Sequence, residues 1–308
     1  MAVTRSKRQA TLIGLVAVLL WSSIVGLIRG VSESFGATGG AALMYTVAAA
    51  LLWLTVGPPR VRALPRSYLL WGSLLFVTYE LCLSLSIGYA NTGRQAIEVG
   101  MVNYLWPSFT MLAAIAFNGQ RASWLVAPGF LVAILGIASV LGGDQGLDLA
   151  GMAANVQDNP LSYGLAFAGA MIWAAYCTVT SRMAQGKNAV TLFFMLTALA
   201  LWGKYLVTDG ETMVFSLKGI GYLALAACAM GFGYAAWNVG ILHGNVTVLA
   251  GASYFIPVIS AAVAAVLLQA PLSLAFWKGA AMVCAGSILC WQATRGRGLR
   301  APAVSQAE

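Results

Sequence analysis

A carboxylate in the middle of an apolar stretch is the first feature of this sequence that could do chemistry. Glu80, in Val77-Thr78-Tyr79-Glu80, is the acid that falls at mid-run. Placing a charge in a low-dielectric layer costs several kcal/mol, roughly 3 or more, so such a residue is a functional candidate by default. It could meet a substrate ammonium or exchange a proton; a hydrogen-bonded contact between helices is the competing structural role. Around it in the sequence lie rings and amides: Trp21, Tyr79, Asn103, Tyr104, Trp106, Trp173, Tyr176, Tyr234, Trp237, Asn238 and Tyr254. Rings inside helices are most often packing. Gathered around one cavity with two amides, they would hold an amphipathic molecule with an apolar or aromatic side chain. Pro107 and Pro257 each follow a tyrosine in the same Tyr-x-x-Pro pattern. A proline inside a helix removes a backbone donor and marks a kink or break.

Other chemistries find little material. The single histidine, His243, cannot build a multi-histidine metal centre, and the five cysteines sit in apolar runs without a CxxC pair. No metal or other cofactor is implied. Glu98 opens an apolar run, where helix-start electrostatics would account for it. An intramembrane hydrolase would need a metal cluster or a nucleophile–base pair, and neither is offered.

The elements that must position these residues follow from composition. Charged residues make up 8% and hydrophobic residues 60% of the 308, against about 25% charged in a typical soluble domain. Apolar runs of spanning length lie near 10–29, 38–57, 68–90, 97–117, 123–142, 162–182, 189–208, 217–241, 247–268 and 273–293. Barrel strands would alternate polar and apolar residues, and these runs do not, so helices are the reading. The expectation is an all-α integral membrane protein of ten transmembrane helices. The N-terminal cations precede a run long enough to be retained as the first span rather than removed as a leader.

Cations orient the spans. With the N-terminus in the cytoplasm, Arg5, Lys7, Arg8, Arg60, Arg62, Arg66, Arg121, Arg182, Lys187, Arg295, Arg297 and Arg300 all fall on that side. The opposite side keeps Arg29, Arg94, Lys204, Lys218 and Lys278, and collects the loop acids Glu33, Asp144, Asp148, Asp158, Asp209 and Glu211. Both termini are then cytoplasmic, and the net charge of +8 is a topology signal rather than a nucleic-acid patch.

A shift of about 150 residues lays Asn103-Tyr104-Leu105-Trp106-Pro107 on Ser253-Tyr254-Phe255-Ile256-Pro257, Gly129 on Gly279 and Gly136 on Gly286. A slightly longer shift lays Leu20-Trp21-Ser22 on Ile172-Trp173-Ala174. Five spans per repeat is an odd number, so the second repeat must run inverted, the architecture of secondary transporters. The expected units are a first repeat over 1–145, a second over 160–294, and a basic cytoplasmic tail over 295–308. Pro107 and Pro257 are the expected hinges. The fifth and tenth spans, with Gly129-x-x-x-Ala133 and Ala281-x-x-x-Ala285, have small residues suited to close packing or a dimer contact.

The stretch Arg94-Gln95-Ala96-Ile97-Glu98-Val99-Gly100-Met101-Val102-Asn103-Tyr104-Leu105-Trp106-Pro107, preceded by Tyr79-Glu80, resembles the drug/metabolite transporter superfamily in its EamA-type branch. The resemblance implies an alternating-access exporter of the bacterial inner membrane, with a cavity lined by spans one, three, four, six, eight and nine. Members of this kind export aromatic and other neutral amino acids, and efflux of small organic cations or drugs is the alternative. The implied partners are amino acids, the lipid bilayer and protons as a candidate coupling ion, with no nucleic acid; a monomer and a homodimer both fit. The residues expected to hold substrate are Trp21, Tyr79, Glu80, Asn103, Tyr104, Trp106, Trp173, Tyr176, Trp237, Asn238 and Tyr254. A passive channel would instead show rings of like residues and no matched breaks.

Overall fold

The computed structural model describes residues 6–208 and 212–295. Arg5, Asp209, Glu211, Arg297, Arg300 and the tail beyond Arg295 lie outside the described residues. The described chain forms helices α1 (Lys7–Ser22), α2 (Ile24–Phe35), α3 (Ala37–Thr55), α4 (Arg66–Gly88), α5 (Gly93–Asn103), α6 (Trp106–Phe117) and α7 (Val126–Leu141). There follow α8 (Leu149–Asp158), α9 (Pro160–Met183), α10 (Val190–Val207), α11 (Leu217–His243), α12 (Val246–Ser253), α13 (Ile256–Leu267) and α14 (Leu274–Thr294). Among the described residues, seven segments are long and apolar enough to cross a membrane: α3, α4, α5 with α6, α9, α10, α11 and α14. The bent pair α1–α2 makes an eighth when taken as one span.

The bend between α1 and α2 is 44° and has a local cause. Ser22 Oγ donates to Val18 O and Ser23 Oγ to Leu20 O, each at 2.7 Å. Hydroxyls that back-bond to the preceding turn compete with the helical ladder and bend it. The helix then runs on to Phe35, well past the end of the apolar run at 29. Glu33, expected in a loop, is therefore a helical neighbour of Arg29 one turn away, the two paired at 3.1 Å. Gly36 at φ +74° reverses the chain into α3 in a single residue, a conformation that favours glycine.

The matched prolines sit just past matched breaks. α5 stops at Asn103 and α6 starts at Trp106, with Pro107 in its first turn; α12 stops at Ser253 and α13 starts at Ile256, with Pro257 in its first turn. A first-turn proline gives up a donor that has no helical partner there. The connection expected over 143–161 holds a helix of its own, α8, with Asp158 at its end rather than in a loop.

α7 and α14 pack with their backbones nearly touching. A Cβ on Gly136 would lie 2.7 Å from Gly279 O, and one on Gly286 would lie 2.5 Å from Gly129 O. Rising numbers on one helix meet falling numbers on the other, so the pair is antiparallel. The small-residue expectation holds for α7 but not for the face of α14. Gly279, Val283, Gly286 and Cys290 face inward, whereas Ala281 and Ala285 are exposed.

Candidate functional site

The broad helix pairings besides α7–α14 are α4 with α9, α1 with α11, and α3 with α10. They enclose a cavity of about 670 Å³. Its wall is aromatic: Trp21 from α1, Tyr68 and Tyr79 from α4, Trp106 from α6, Trp173 and Tyr176 from α9, and Tyr234 and Trp237 from α11. Glu80, Asn103, Tyr104 and Asn238 also line it. The structure thus brings every sequence-selected residue to one cavity except Tyr254. That side chain is buried away from the cavity against Trp291, with ring centroids 6.0 Å apart.

Trp173 is the hub of the rings. Its centroid lies 4.4 Å from Tyr79, 5.0 Å from Tyr176 and 6.2 Å from Trp106. Opposite, Trp21 stands 5.1 Å from Tyr234 and 5.2 Å from Trp237. The indole Nε1 of Trp21 is buried and has no hydrogen-bond partner. A buried donor left unpaired is costly; this one packs against α11, where a Cβ on Gly233 would lie 2.7 Å from it.

Glu80 is fully buried and committed to the protein. Tyr45 OH donates to its Oε2 at 2.6 Å and Tyr234 OH to its Oε1 at 2.9 Å, while Ser84 Oγ donates to Tyr45 OH at 3.2 Å. Tyr45 sits in α3, an apolar helix with no sequence signal linking it to this site. Asn103 is 3% exposed, and its Nδ2 donates to Ala166 O at 3.4 Å.

The cavity opens at one end, between the last turn of α9 (Ser181, Arg182) with the α9–α10 connection (Gln185, Lys187, Asn188) and the C-terminal part of α11 (Trp237, Asn238, Ile241). The opposite end is sealed by a polar network that sequence reasoning did not assemble. Asn159 Nδ2 donates to Tyr89 O and to Gln95 Oε1, both at 2.9 Å, and Gln95 Nε2 donates to Asp158 Oδ2 at 3.0 Å. Glu98 belongs to this network rather than to a helix start. It is the sixth residue of α5, 4% exposed, and accepts from Arg94 Nε at 3.1 Å and Tyr163 OH at 2.8 Å. The dipole of a helix acts within its first turn, so the network explains Glu98 better. Tyr163→Phe removes one donor to this buried carboxylate, and we expect it to lower stability by about 1–3 kcal/mol, read as thermal unfolding in detergent.

Arg94 also holds Asp144 at 2.8 Å. Its guanidinium keeps the Asp144 carboxyl below the usual carboxylate range. A depressed value means the tether is fully present above about pH 4 and is lost as pH falls through the lowered value. Asp144 is exposed, so acidification should loosen the 143–145 turn without unfolding the bundle; hydrogen exchange at pH 3 against pH 7 would show it.

Residues 160–292 match the EamA-like transporter family. Along 292 residues, 95% of this chain and 100% of the relative, the sequence is 59% identical to an aromatic amino acid exporter YddG of Salmonella typhimurium. The chain belongs to the EamA-like transporter family. It is therefore a multi-pass membrane transporter and not an enzyme. The aromatic amino acid exporter YddG of Escherichia coli is 60% identical over 290 residues, 94% of this chain and 99% of the relative. A crystal structure at 24% identity covers 94% of this chain and 99% of its own, with a TM-score of 0.64, which speaks to the fold.

Proposed function

We propose that this chain exports amino acids, aromatic and other neutral ones, across the bacterial inner membrane by alternating access. The observation that carries the reading is the aromatic cavity, open at one end and sealed by polar contacts at the other. A cavity of about 670 Å³ is ample for one amino acid, and its rings would stack a side chain while Asn238 meets polar atoms. The names of the relatives agree with this cargo.

The architecture proposed is ten spans in two inverted five-helix repeats, 1–145 and 160–294, with both termini in the cytoplasm. Adding α7 and the broken α12–α13 pair to the eight spans above gives that number. Further support comes from pairing: a shift of about 150 residues exchanges α4–α9 with α1–α11 and returns α3–α10 and α7–α14 to themselves. In that orientation the mouth faces the cytoplasm. Efflux of organic cations is the weaker reading, since both oxygens of Glu80 already accept tyrosine hydroxyls.

Counterflow in proteoliposomes tests the cargo. Labelled phenylalanine or tryptophan should exchange in a protein-dependent way, and a panel of amino acids without any exchange would discard the proposal. Repeating the assay under two imposed pH gradients separates facilitated from proton-coupled movement. Trp173→Ala, which removes the hub ring, should weaken aromatic substrates about tenfold, with smaller losses for small neutral ones.

A further inference from the structure

The seal and the mouth are the same place in the two repeats, and an arginine stands at each. At the sealed end, Arg29, midway along α2, reaches the C-terminal end of α4. Its Nη1 donates to Gly88 O at 3.4 Å and, more closely, to Ala90 O. The backbones there are in contact, since a Cβ on Gly88 would lie 3.1 Å from Ala37 Cα. The last carbonyls of a helix lack intrahelical donors, and a guanidinium can satisfy two at once while opposing the negative end of the dipole.

The shift that lays Trp21 on Trp173 brings Arg29 to within one residue of Arg182, near the end of α9. Aligning Tyr79 with Tyr234 likewise brings Gly88, the last residue of α4, onto His243, the last of α11. Arg182 and Ile241 line the mouth from opposite sides. Arg182 is exposed and makes no hydrogen bond or ion pair among the described residues. One arginine is engaged where the gap is shut, and its counterpart is idle where the gap is open.

Resting on the alternating-access reading above, we propose that Arg182 is the positioning residue that latches the opposite conformation. When the mouth closes, its guanidinium donates to the free carbonyls of the last turn of α11, as Arg29 now does to the end of α4; Arg29 then lets go. The two arginines act in turn, each holding one closed end. An interfacial cation that merely sets topology would do its work equally well as lysine. A latch of the Arg29 kind would not, because the guanidinium donates from two nitrogens in fixed directions, Nη1 to the carbonyls and Nε to Glu33, which a single ammonium nitrogen cannot match.

The native Cys177, which lines the cavity between the two ends, is the reporter. Proteoliposomes sorted by orientation are treated with a membrane-impermeant thiol reagent, and modification of Cys177 is quantified by mass spectrometry. Arg29→Gln should raise labelling from the sealed side about tenfold, and Arg182→Gln should lower it about tenfold. Counterflow of labelled phenylalanine by Arg182→Gln should slow to a similar extent, with Arg182→Lys in between. The double variant should return towards the parent ratio, because each state loses one latch. Parent-like labelling and exchange in Arg182→Gln, or full rescue by Arg182→Lys, would overturn the latch while leaving alternating access in place. Sealed-side labelling that stays at background in the parent and in Arg29→Gln, while counterflow persists, would instead remove alternating access, and the latch with it.

Discussion

A single methyl group at Gly286 should cost this protein about 2–3 kcal/mol, and a leucine there should prevent it from accumulating folded. The reason is the identity of the atoms it would strike. A Cβ at this position lies 2.5 Å from both Ala133 N and Gly129 O. These are backbone atoms of the facing helix, which cannot rotate away as a side chain can. Either α7 and α14 separate along their length or α14 turns, and both outcomes uncover the face built from Gly129, Ala133, Gly136, Gly279 and Val283. With no hydrophobic force between helices in lipid, close backbone approach is itself the main attraction. Gly221→Ala in α11 is the matched control, because nothing lies within 4 Å of a Cβ there. It should be neutral, or stabilising by up to about 1 kcal/mol through helix propensity. Thermal unfolding in detergent compares the two directly. Equal midpoints for Gly286→Ala and Gly221→Ala would mean that the α7–α14 contact does not hold the bundle.

What was legible in the sequence follows from which forces act locally. Apolar runs announced the helices, because a membrane demands about 20 apolar residues in a row. The Tyr-x-x-Pro pair announced the breaks at 104 and 254, because a proline acts on its own turn. The ring-bearing helices were also readable, since rings away from span ends have few places to go but a core or a cavity. The misses concern side chains whose partners are distant. Tyr45 is one apolar-helix residue among many until α3 sets its hydroxyl against Glu80. Gln95 and Asn159 look like ordinary loop-flanking polars, and only the meeting of α5 with α9 makes them a seal.

Two errors have a different origin. The first span continued past its apolar run because the Arg29–Glu33 pair and the carbonyls of α4 satisfy its charges inside the fold. For α14 the spacing rule named Ala281 and Ala285, although Gly279, two positions before, and Gly286, one position after, supply the contact. Small-residue spacing identifies a helix able to pack closely, while the partner decides which face does so. In the sequence Arg182 and Lys187 carry only a topology signal, since a charge outside the hydrocarbon layer bears no mark of a second role.

Glu80→Leu should be the most damaging single change in the cavity wall, and its partners say why. The carboxylate ties three helices together: its own α4, α3 through Tyr45, and α11 through Tyr234. Leucine would strand two buried hydroxyls at roughly 1–3 kcal/mol each, and Ser84 would keep its bond only to a displaced Tyr45. Glu80→Gln is the informative companion. Its amide offers one acceptor and one donor group, and a tyrosine hydroxyl can accept as well as donate, so the three-helix joint can survive in neutral form. We therefore expect Glu80→Leu to lose several kcal/mol of stability together with aromatic exchange, and Glu80→Gln to keep most of its stability. Tyr234→Phe combined with Glu80→Leu should cost less than the separate losses added together, because both remove the same bond. If Glu80→Gln unfolds as readily as Glu80→Leu, hydrogen bonding alone cannot explain the joint. A Glu80→Gln protein of parental stability that no longer binds substrate would return the residue to the role first suggested by its position, a direct contact for the ammonium.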